Sequence, residues 1–471
     1  MSKKSKNILM LIVFLLCCYI FFLKKYFNKY FPNMTRNEFT FFIISALDGG
    51  AKGTANDMVL LFLKNCIIKP TFFGFIYFYL LEILGKIGRF CDKINKNYWK
   101  KFLFIVSIIL VTYNVFRFVH WLNPNKKNDY STFYEREYNL PEKKNITFPK
   151  NKKNLIVIHV ESLEKTFENK TFFTNSLIPD IEKLESEGIQ FSNYQNGFGT
   201  TFTEGSLIAL FTGTPINPHL NLNHVGQFSS IFKNVYSLGK ILKDNGYQTF
   251  SMQSTLGDYA GMKKFLSLHG IDDITDSKIL KKTLLKDQII SHWGFGDKNL
   301  FFAVKDKIKN IDKSKPYFLY IQTVDTHVKY IPKDIKKNIY SNPYLNVIYN
   351  TNLAVADFID WFKKQPEYKN TTIVILGDHL RMGKDFKMPQ IRSIYNLFMN
   401  TSIVPNDTNR TFSQVDLFPS VLEAIGVKII NHKLGLGTSI FSENKTLAER
   451  FSEQELENEL GKHNKIYDKL W

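Results

Sequence analysis

Two short blocks of the sequence carry side chains that could together perform phosphoryl chemistry. In the first block, an apolar run is followed directly by Glu161, and the segment GFGTTFTEGS downstream contains Thr203. In the second block, TIVILGDHLR, another apolar run is followed directly by Asp378 and His379. Two carboxylates and an imidazole form a ligand set that suits Mn²⁺, Zn²⁺ or Mg²⁺. A metal site beside a threonine hydroxyl indicates phosphoryl chemistry.

The position of Thr203 supports this interpretation. The apolar run at residues 207–211 predicts a short helix, so Thr203 is expected at or near its N-terminus. Free backbone N–H groups and the helix dipole favour an anion there, such as a phosphoryl oxygen. The ordinary alternative is that Thr203 is only an N-cap. Thr200 and Thr201 are alternative nucleophiles, and an Asp-His pair after a strand can also be a turn with a surface histidine.

The elements that must position these residues follow an alternating pattern. Helical patterns at residues 235–245, 300–311 and 345–364 lead into apolar β-type runs at residues 248–252, 317–321 and 372–376, and residues 155–160 form a further apolar run. Repeated α-then-β units predict an α/β fold with a mostly parallel sheet covered by helices on both faces. Because ligands bind at the carboxyl ends of such strands, Glu161, Asp378 and His379 are expected at one edge of the sheet.

The order of the motifs also carries a family resemblance. A strand, ESLEKTF, PDIEKL, FSN, GTTFT and GDH occur in this order. The order resembles the alkaline phosphatase and sulfatase superfamily, and within it the phosphoglycerol transferase branch, most closely the type that decorates periplasmic glucans. The resemblance covers about residues 150–471. It implies an alkaline-phosphatase-like fold and one divalent metal ion, in the first place Mn²⁺, held by Glu161, Asp378, His379 and Thr203. It also implies that Thr203 is the nucleophile.

A third block, IQTVDTHVKY, follows the run at residues 317–321 and matches the same branch. The resemblance implies that His327 contacts the phosphoryl or glycerol group and acts in acid–base chemistry. Asp325 is expected either to orient a neighbouring group on the substrate side or to cap a turn. In the segment WGFGD, Trp293 is a candidate glycerol contact and Asp297 a candidate N-cap of the helix that follows.

The function implied by the resemblance is the transfer of phosphoglycerol from phosphatidylglycerol to a hydroxyl group of a cell-envelope glycan, through a phosphothreonine intermediate. Phosphoethanolamine transfer is the alternative, although those enzymes usually carry disulfides in the external domain and residues 154–471 contain no cysteine. Sulfate-ester hydrolysis is a weaker alternative, because no Cys/Ser-x-Pro-x-Arg motif follows Glu161. A non-catalytic glycan-binding protein would have no need for the whole set of metal and nucleophile residues.

The composition predicts that the part of the chain with these motifs lies next to a membrane. The formal net charge of +19 fits an anionic membrane surface, and no nucleic-acid motif accompanies it, so nucleic acid is not expected as a partner. Residues 8–23, 71–84 and 102–116 are candidate membrane spans. The basic loop at residues 89–101 suits the cytoplasmic side.

These features predict three regions. Residues 1–122 are a membrane region with about three transmembrane helices, residues 123–153 are a juxtamembrane linker, and residues 154–471 are the catalytic domain. The catalytic domain is then expected outside the cytoplasm, on the periplasmic face of a bacterial inner membrane. Two further apolar stretches near residues 39–47 and 58–68 are expected at the interface or in an additional hairpin.

Overall fold

The structure is a computed structural model, in which the chain forms two compact units. Unit 1 comprises Met1–Arg36 and Thr54–Lys126, and unit 2 comprises Asn37–Gly53 and Lys127–Trp471. The residues that the structure describes are 3–30, 39–41, 60–90, 102, 105–106, 108–110, 112–117, 130–217, 230–284, 293–327, 330–332, 335, 337–383 and 385–471.

Unit 1 is helical. It contains α1 (Lys3–Tyr30), a π-helical turn (Leu63–Ile68) and α2 (Lys69–Phe90). The helices α1 and α2 are antiparallel, because Phe14 stacks on Tyr77 at 3.9 Å while the later Tyr19 hydroxyl bonds the earlier Thr71 hydroxyl at 2.8 Å. Many apolar side chains on both helices are exposed, among them Ile8, Leu16, Phe21, Phe72 and Phe75. Outward-facing apolar side chains of this kind are typical of helices in a membrane.

One helix of the described part, Leu60–Tyr77, is long and apolar enough to cross a membrane. The candidate span at residues 71–84 lies within α2 and overlaps the second part of this apolar stretch. A π-helical turn precedes Pro70, and such turns accommodate the missing proline N–H. The candidate at residues 8–23 lies within α1, and the candidate at 102–116 overlaps a shorter apolar helix, Ile108–Arg117.

In the residues that the structure describes, unit 2 is built on a seven-stranded sheet. Its strands are β1 (Asn154–Val160), β2 (Gly188–Ile189), β3 (Gln248–Gln253), β4 (Asp273–Thr275), β5 (Tyr317–Gln322), β6 (Thr371–Gly377) and β7 (Asn396–Met399), in the spatial order β2-β7-β6-β1-β5-β3-β4. Of these seven strands, β7 alone runs opposite to the other six. The predicted mostly parallel sheet is therefore confirmed. The short edge strands and the reversed β7 were not predicted.

Helices cover both faces of the sheet. They are α3 (Phe133–Glu137), α4 (Lys170–Phe173), α5 (Pro179–Leu184), α6 (Thr203–Thr212), α7 (Leu238–Asp244), α8 (Met262–Leu268), α9 (Ser277–Lys282), α10 (Asp297–Asn310), α11 (Pro343–Phe362), α12 (Gln414–Ala424), α13 (Glu453–Leu460) and α14 (Lys465–Leu470). Alternate residues of a strand point to opposite faces, so Val157 joins one core and Ile158 the other. Both faces are buried, which is why β1 is apolar throughout.

The folded part of unit 2 extends beyond residues 154–471. Phe133 and Tyr134 of α3 are buried in its main core, within the range that the sequence suggests as a linker. Phe41 is also buried there, and its ring centroid lies 5.0 Å from that of Phe202. The described part of unit 2 also has three two-stranded pairs: Ile146–Thr147 with Lys428–Ile429, Asn193–Tyr194 with Thr411–Phe412, and Lys433–Leu434 with Gly437–Thr438.

Candidate active site

Three potential metal ligands meet at the carboxyl end of the sheet. Glu161 follows the last residue of β1 and Asp378 follows the last residue of β6, and these two last residues, Val160 and Gly377, are direct partners in the sheet. The strand register therefore places the two carboxylates side by side. One ligand atom from each of Glu161, Asp378 and His379 lies within 4.8 Å of the others, and all three residues are buried.

The charges of this cluster are poorly balanced without a cation. Burial, together with the neighbouring charge of Glu161, raises the pKa of Asp378 to about 7. Burial also opposes the charge of Glu161, but His379, His327 and hydrogen bonds from Ser162 and Thr203 outweigh it and lower the pKa of Glu161. Asp378 Oδ2 is buried without a hydrogen-bond partner in the described part of the chain. Two buried carboxylates, one with an unpartnered oxygen, fit a divalent cation.

Thr203 lies at this cluster as the first residue of α6. Its hydroxyl donates to Glu161 Oε2 at 3.0 Å and lies 3.4 Å from His379 Nε2. Thr200, by contrast, is completely buried, and its hydroxyl is engaged with Gln414 Oε1 at 2.6 Å. Of these two threonines, the geometry favours Thr203 as the nucleophile.

Two glycines allow α6 to approach so closely. A Cβ atom on Gly205 would lie 2.2 Å from the carbonyl oxygen of Gly199, and one on Gly199 would lie 2.2 Å from the carbonyl oxygen of Ile216. Gly199 also has a positive φ of 67°. The glycines of GFGTTFTEGS are therefore required by the packing of the loop against the helix that begins at Thr203.

The backbone next to Glu161 is strained. Ser162 adopts a positive φ of 51°, which is rare outside glycine. In this conformation its N–H donates to Asp378 Oδ1 at 2.7 Å and its hydroxyl donates to Glu161 Oε1 at 2.6 Å. Ser162 thereby connects both carboxylates, which is an arrangement typical of strain held at functional sites.

The third sequence block lies beside the cluster. His327 is close enough to favour the charge of Glu161, and its ring packs on Trp293 with 4.5 Å between centroids. Asp325 Oδ2 accepts the N–H of Asp297, the first residue of α10, at 2.9 Å. Asp297 is not the N-cap that the sequence suggested. Gly296 occupies that position, and Asp297 instead accepts the N–H of Val324 at 2.9 Å.

A buried polar chain beneath the cluster was not predicted. The Tyr320 hydroxyl donates to Gln322 Oε1 at 2.6 Å, so it accepts from His159 Nδ1 at 2.8 Å. The Nε2 atom of His159 is then an acceptor, and it receives the Ser206 hydroxyl at 3.1 Å. Burial lowers the pKa of His159 to about 3, which agrees with a neutral ring. This series of hydrogen bonds connects Ser206 of α6, three residues after Thr203, to His159 of β1 and Tyr320 of β5.

A second set of unpredicted contacts holds the loop that carries His327. Thr323 Oγ1 accepts the N–H of Glu161 at 3.0 Å, and the Thr326 hydroxyl donates to the carbonyl oxygen of Glu161. The buried Arg381 donates to the carbonyl oxygen of Thr326 and pairs with Asp385 at 2.8 Å. The only signal in the sequence was the position of these polar residues directly after strands.

Glu204 is a further acidic residue that the sequence reasoning did not single out. It follows Thr203 within a mostly apolar helix and is buried. Burial raises the pKa of Glu204 to about 7, while a hydrogen bond with its own backbone N–H acts in the opposite direction. A lone carboxylate in an apolar helix is a signal that could have identified it.

Comparison with known proteins agrees with this fold. The sulfatase family model matches residues 153–427, more than half of the chain, so the chain belongs to the sulfatase family. Phosphoglycerol transferase I of Escherichia coli (strain 55989 / EAEC) is similar, with 32% identity over 277 residues. That alignment covers 57% of this chain but only 36% of the relative, so the match spans about a third of the length of the relative.

Two solved structures share the fold. A protein in the alkaline phosphatase superfamily from Vibrio parahaemolyticus superposes with a TM-score of 0.52 at 21% identity, over 64% of this chain and 72% of the other. The lipoteichoic acid synthase LtaP from Listeria monocytogenes superposes with a TM-score of 0.50 at 17% identity, over 62% and 78%. The predicted family resemblance and the alkaline-phosphatase-like fold class are thus confirmed.

Proposed function

We propose that this protein is a metal-dependent transferase that moves phosphoglycerol from phosphatidylglycerol to a hydroxyl group of a cell-envelope glycan. The observation that carries the proposal is the position of the Thr203 hydroxyl, 3.0 Å from Glu161 Oε2 and 3.4 Å from His379 Nε2, inside a cluster of three potential metal ligands. The donor class is supported by the similarity to phosphoglycerol transferase I of Escherichia coli.

A divalent cation, in the first place Mn²⁺, would be held by Glu161, Asp378, His379 and Thr203. When bound, it would lower the pKa of the Thr203 hydroxyl and offset the negative charge of the phosphodiester. The chemistry of the site supports a single ion of this kind, since the ligand set combines oxygen donors with one imidazole.

In the first step, Thr203 Oγ1 attacks the phosphorus of the donor. A Thr–O–P bond forms, and the bond between phosphorus and the diacylglycerol oxygen breaks. The hydroxyl proton leaves Thr203 along its hydrogen bond to Glu161 Oε2, and His327 supplies a proton to the departing oxygen. Trp293 packs against His327 and forms the wall that would contact the glycerol group.

In the second step, a hydroxyl group of the acceptor glycan attacks the same phosphorus. The new O–P bond forms as the Thr–O–P bond breaks, His327 takes the proton of the acceptor, and Thr203 regains its own proton. The two steps need no nucleotide, because the lipid phosphodiester is already the activated donor. Asp325, through its hydrogen bond to the first residue of α10, positions the segment between Trp293 and His327 for both steps.

The protein acts in a bacterial cell membrane, with unit 2 on the outer, periplasmic side of the inner membrane and the region up to residue 122 crossing it about three times. The exposed apolar faces of α1 and α2 and the basic loop at residues 89–101 support this arrangement. Its partners are then the lipid donor, the glycan acceptor and the bilayer itself.

The test uses the full chain reconstituted in phosphatidylglycerol vesicles with Mn²⁺, followed by peptide mapping by mass spectrometry. A glycerophosphoryl adduct is expected on the peptide that contains Thr203. The adduct should be absent in Thr203→Ala and present in Thr201→Ala, which is the matched control. If an adduct forms only with phosphatidylethanolamine, the enzyme is a phosphoethanolamine transferase and the proposed donor is wrong. If sulfate is released from a sulfate ester and no adduct forms, the protein is a hydrolase and the proposed transfer is wrong.

A further inference from the structure

Several loops at the site edge of the sheet carry apolar side chains that face solvent. They are Phe172 after β1, Ile331 and Ile339 after β5, and Ile391 after β6, with exposed fractions of 42%, 43%, 57% and 91%. Isolated exposed apolar residues are ordinary on protein surfaces. These four differ because they lie on the three loops that follow the strands bearing the candidate site residues.

The described parts of the three loops contact one another. The ring of Phe173, after β1, lies 6.3 Å from the ring of Phe386, after β6. The hydroxyl of Tyr340, after β5, donates to the carbonyl oxygen of Ser176, after β1, at 3.3 Å. The loop after β1 therefore contacts both of the others, and we call the surface that these loops present the rim.

Among the described residues of the rim, the exposed charged side chains are lysines. Lys337 and Lys387 are exposed on the loops after β5 and β6. Asp385, on the loop after β6, is neutralised by Arg381 at 2.8 Å. Exposed apolar side chains interspersed with lysines are typical of surfaces that lie in the interface of an anionic membrane.

We infer that the rim, centred on Ile391, inserts into the interfacial layer of an anionic phospholipid bilayer and so brings the Thr203 site to the level of the lipid headgroups. The inference rests on the proposed function, since a donor phosphodiester that stays in the bilayer can reach Thr203 only if the mouth of the site approaches the membrane surface. Basic charge complements the anionic headgroups, and the apolar side chains complement the upper acyl region.

The chain offers a matched control at the opposite edge of the sheet. Val404 follows β7, whose last residue, Met399, pairs with Ile373 near the beginning of β6. Because β7 is antiparallel, Val404 lies at the amino edge of the parallel strands, away from the candidate site. It is 78% exposed, so it resembles Ile391 in chemistry and exposure but not in position.

The experiment measures membrane depth and does not depend on catalysis. In the full chain, with its four cysteines replaced by alanine, Ile391→Cys and Val404→Cys are each labelled with an environment-sensitive fluorophore. The labelled proteins are reconstituted in vesicles of phosphatidylglycerol and phosphatidylcholine that contain spin-labelled lipid. We expect the lipid quencher to reduce emission at position 391 at least threefold more than at position 404, and aqueous iodide to show the reverse order.

Equal quenching of the two positions by iodide would overturn the inference. Protection of position 391 from the lipid quencher as well as from iodide would also overturn it, because protein rather than lipid would then cover the rim. A second measurement links the rim to turnover. Ile391→Asp should raise KM several-fold for donor in vesicles and leave the turnover of a monomeric short-chain donor unchanged. If the wild type transfers no phosphoglycerol while the lipid quencher reduces emission at position 391, the proposed transferase function is wrong but the insertion of the rim into the membrane is supported.

Discussion

The substitution Asp378→Asn separates a metal site from an ordinary buried carboxylate, because it should change stability in opposite directions with and without a cation. Asp378 Oδ1 accepts the N–H of Ser162 at 2.7 Å and that of His379 at 2.8 Å, and an asparagine oxygen can keep both bonds. Its Oδ2 atom has no hydrogen-bond partner in the described part of the chain and lies 3.6 Å from His379 Nε2, so the substitution removes mainly the charge.

The size of the stability change follows from the pKa of Asp378. The pKa of Asp378 rises from 3.8 to about 7 in the folded protein. A difference of about three units, at about 1.4 kcal/mol per unit, corresponds to about 4 kcal/mol of destabilisation above pH 7 without metal. The buried amide of asparagine costs about 1–3 kcal/mol when it lacks an acceptor. The net gain for Asp378→Asn is therefore about 1–3 kcal/mol at pH 8.

The direction of the stability difference between Asp378→Asn and the wild type depends on pH. A carboxyl group whose pKa is raised by folding destabilises the protein only where it ionises, so the penalty is absent below pH 3.8 and complete above about pH 7. At pH 5 the advantage of the variant should fall below half of its value at pH 8. With Mn²⁺ at about 1,000 times its Kd the order should reverse, since binding then stabilises the wild type by about 4.1 kcal/mol, which exceeds the advantage of the variant.

The assay is thermal unfolding of the full chain in detergent, with EDTA or with Mn²⁺, at pH 5 and pH 8. We expect Tm of Asp378→Asn to exceed that of the wild type by a few degrees in EDTA at pH 8 and to lie below it in Mn²⁺. The matched control is Asp416→Asn, another buried carboxylate with a pKa of about 7 that accepts two backbone N–H groups. This control should keep the full response to Mn²⁺. A lower Tm for Asp378→Asn in EDTA at pH 8, or an unchanged Mn²⁺ response, would refute the reasoning.

Three further perturbations test the surroundings of the site. Ser206→Ala removes the hydrogen bond to His159 and should lower kcat about tenfold, a loss of about 1.4 kcal/mol, with KM nearly constant in steady-state assays; an unchanged kcat would show that the polar chain does not position α6. Arg381→Lys loses the forked contacts that hold the loop of His327 and should raise hydrogen exchange in residues 323–327, whereas wild-type exchange there would contradict that role. Phe41→Ala should lower the stability of unit 2 by about 3–5 kcal/mol, measured as a lower Tm; no change would place Phe41 outside the folded core.

The long elements of the catalytic unit were predictable from the sequence. The runs at residues 155–160, 317–321 and 372–376 match β1, β5 and β6 within a residue or two. They were visible because strands buried on both faces are apolar throughout. The strand β7 was not predicted, because NLFM is four residues long and its antiparallel direction depends on its partners, which the local sequence does not specify.

The candidate site was predictable only as a set of residue types at strand ends. The sequence places Glu161 after one apolar run and Asp378 and His379 after another, and a parallel sheet brings such ends to one edge. The distances among them depend on the register that pairs Val160 with Gly377. Register is a property of two strands far apart in the chain, so no local pattern could supply it.

The sequence alone determined the fold class, the family resemblance and the identity of the residues at the strand ends, because buried strands, glycine turns and metal-ligand types leave local patterns. Only the tertiary structure decided which side chains touch. Contacts such as Ser206 with His159, Arg381 with Thr326 and Phe41 with Phe202 join residues that are distant in the chain. Such contacts depend on how whole elements pack, and packing is set by the shape of the entire core rather than by any short segment.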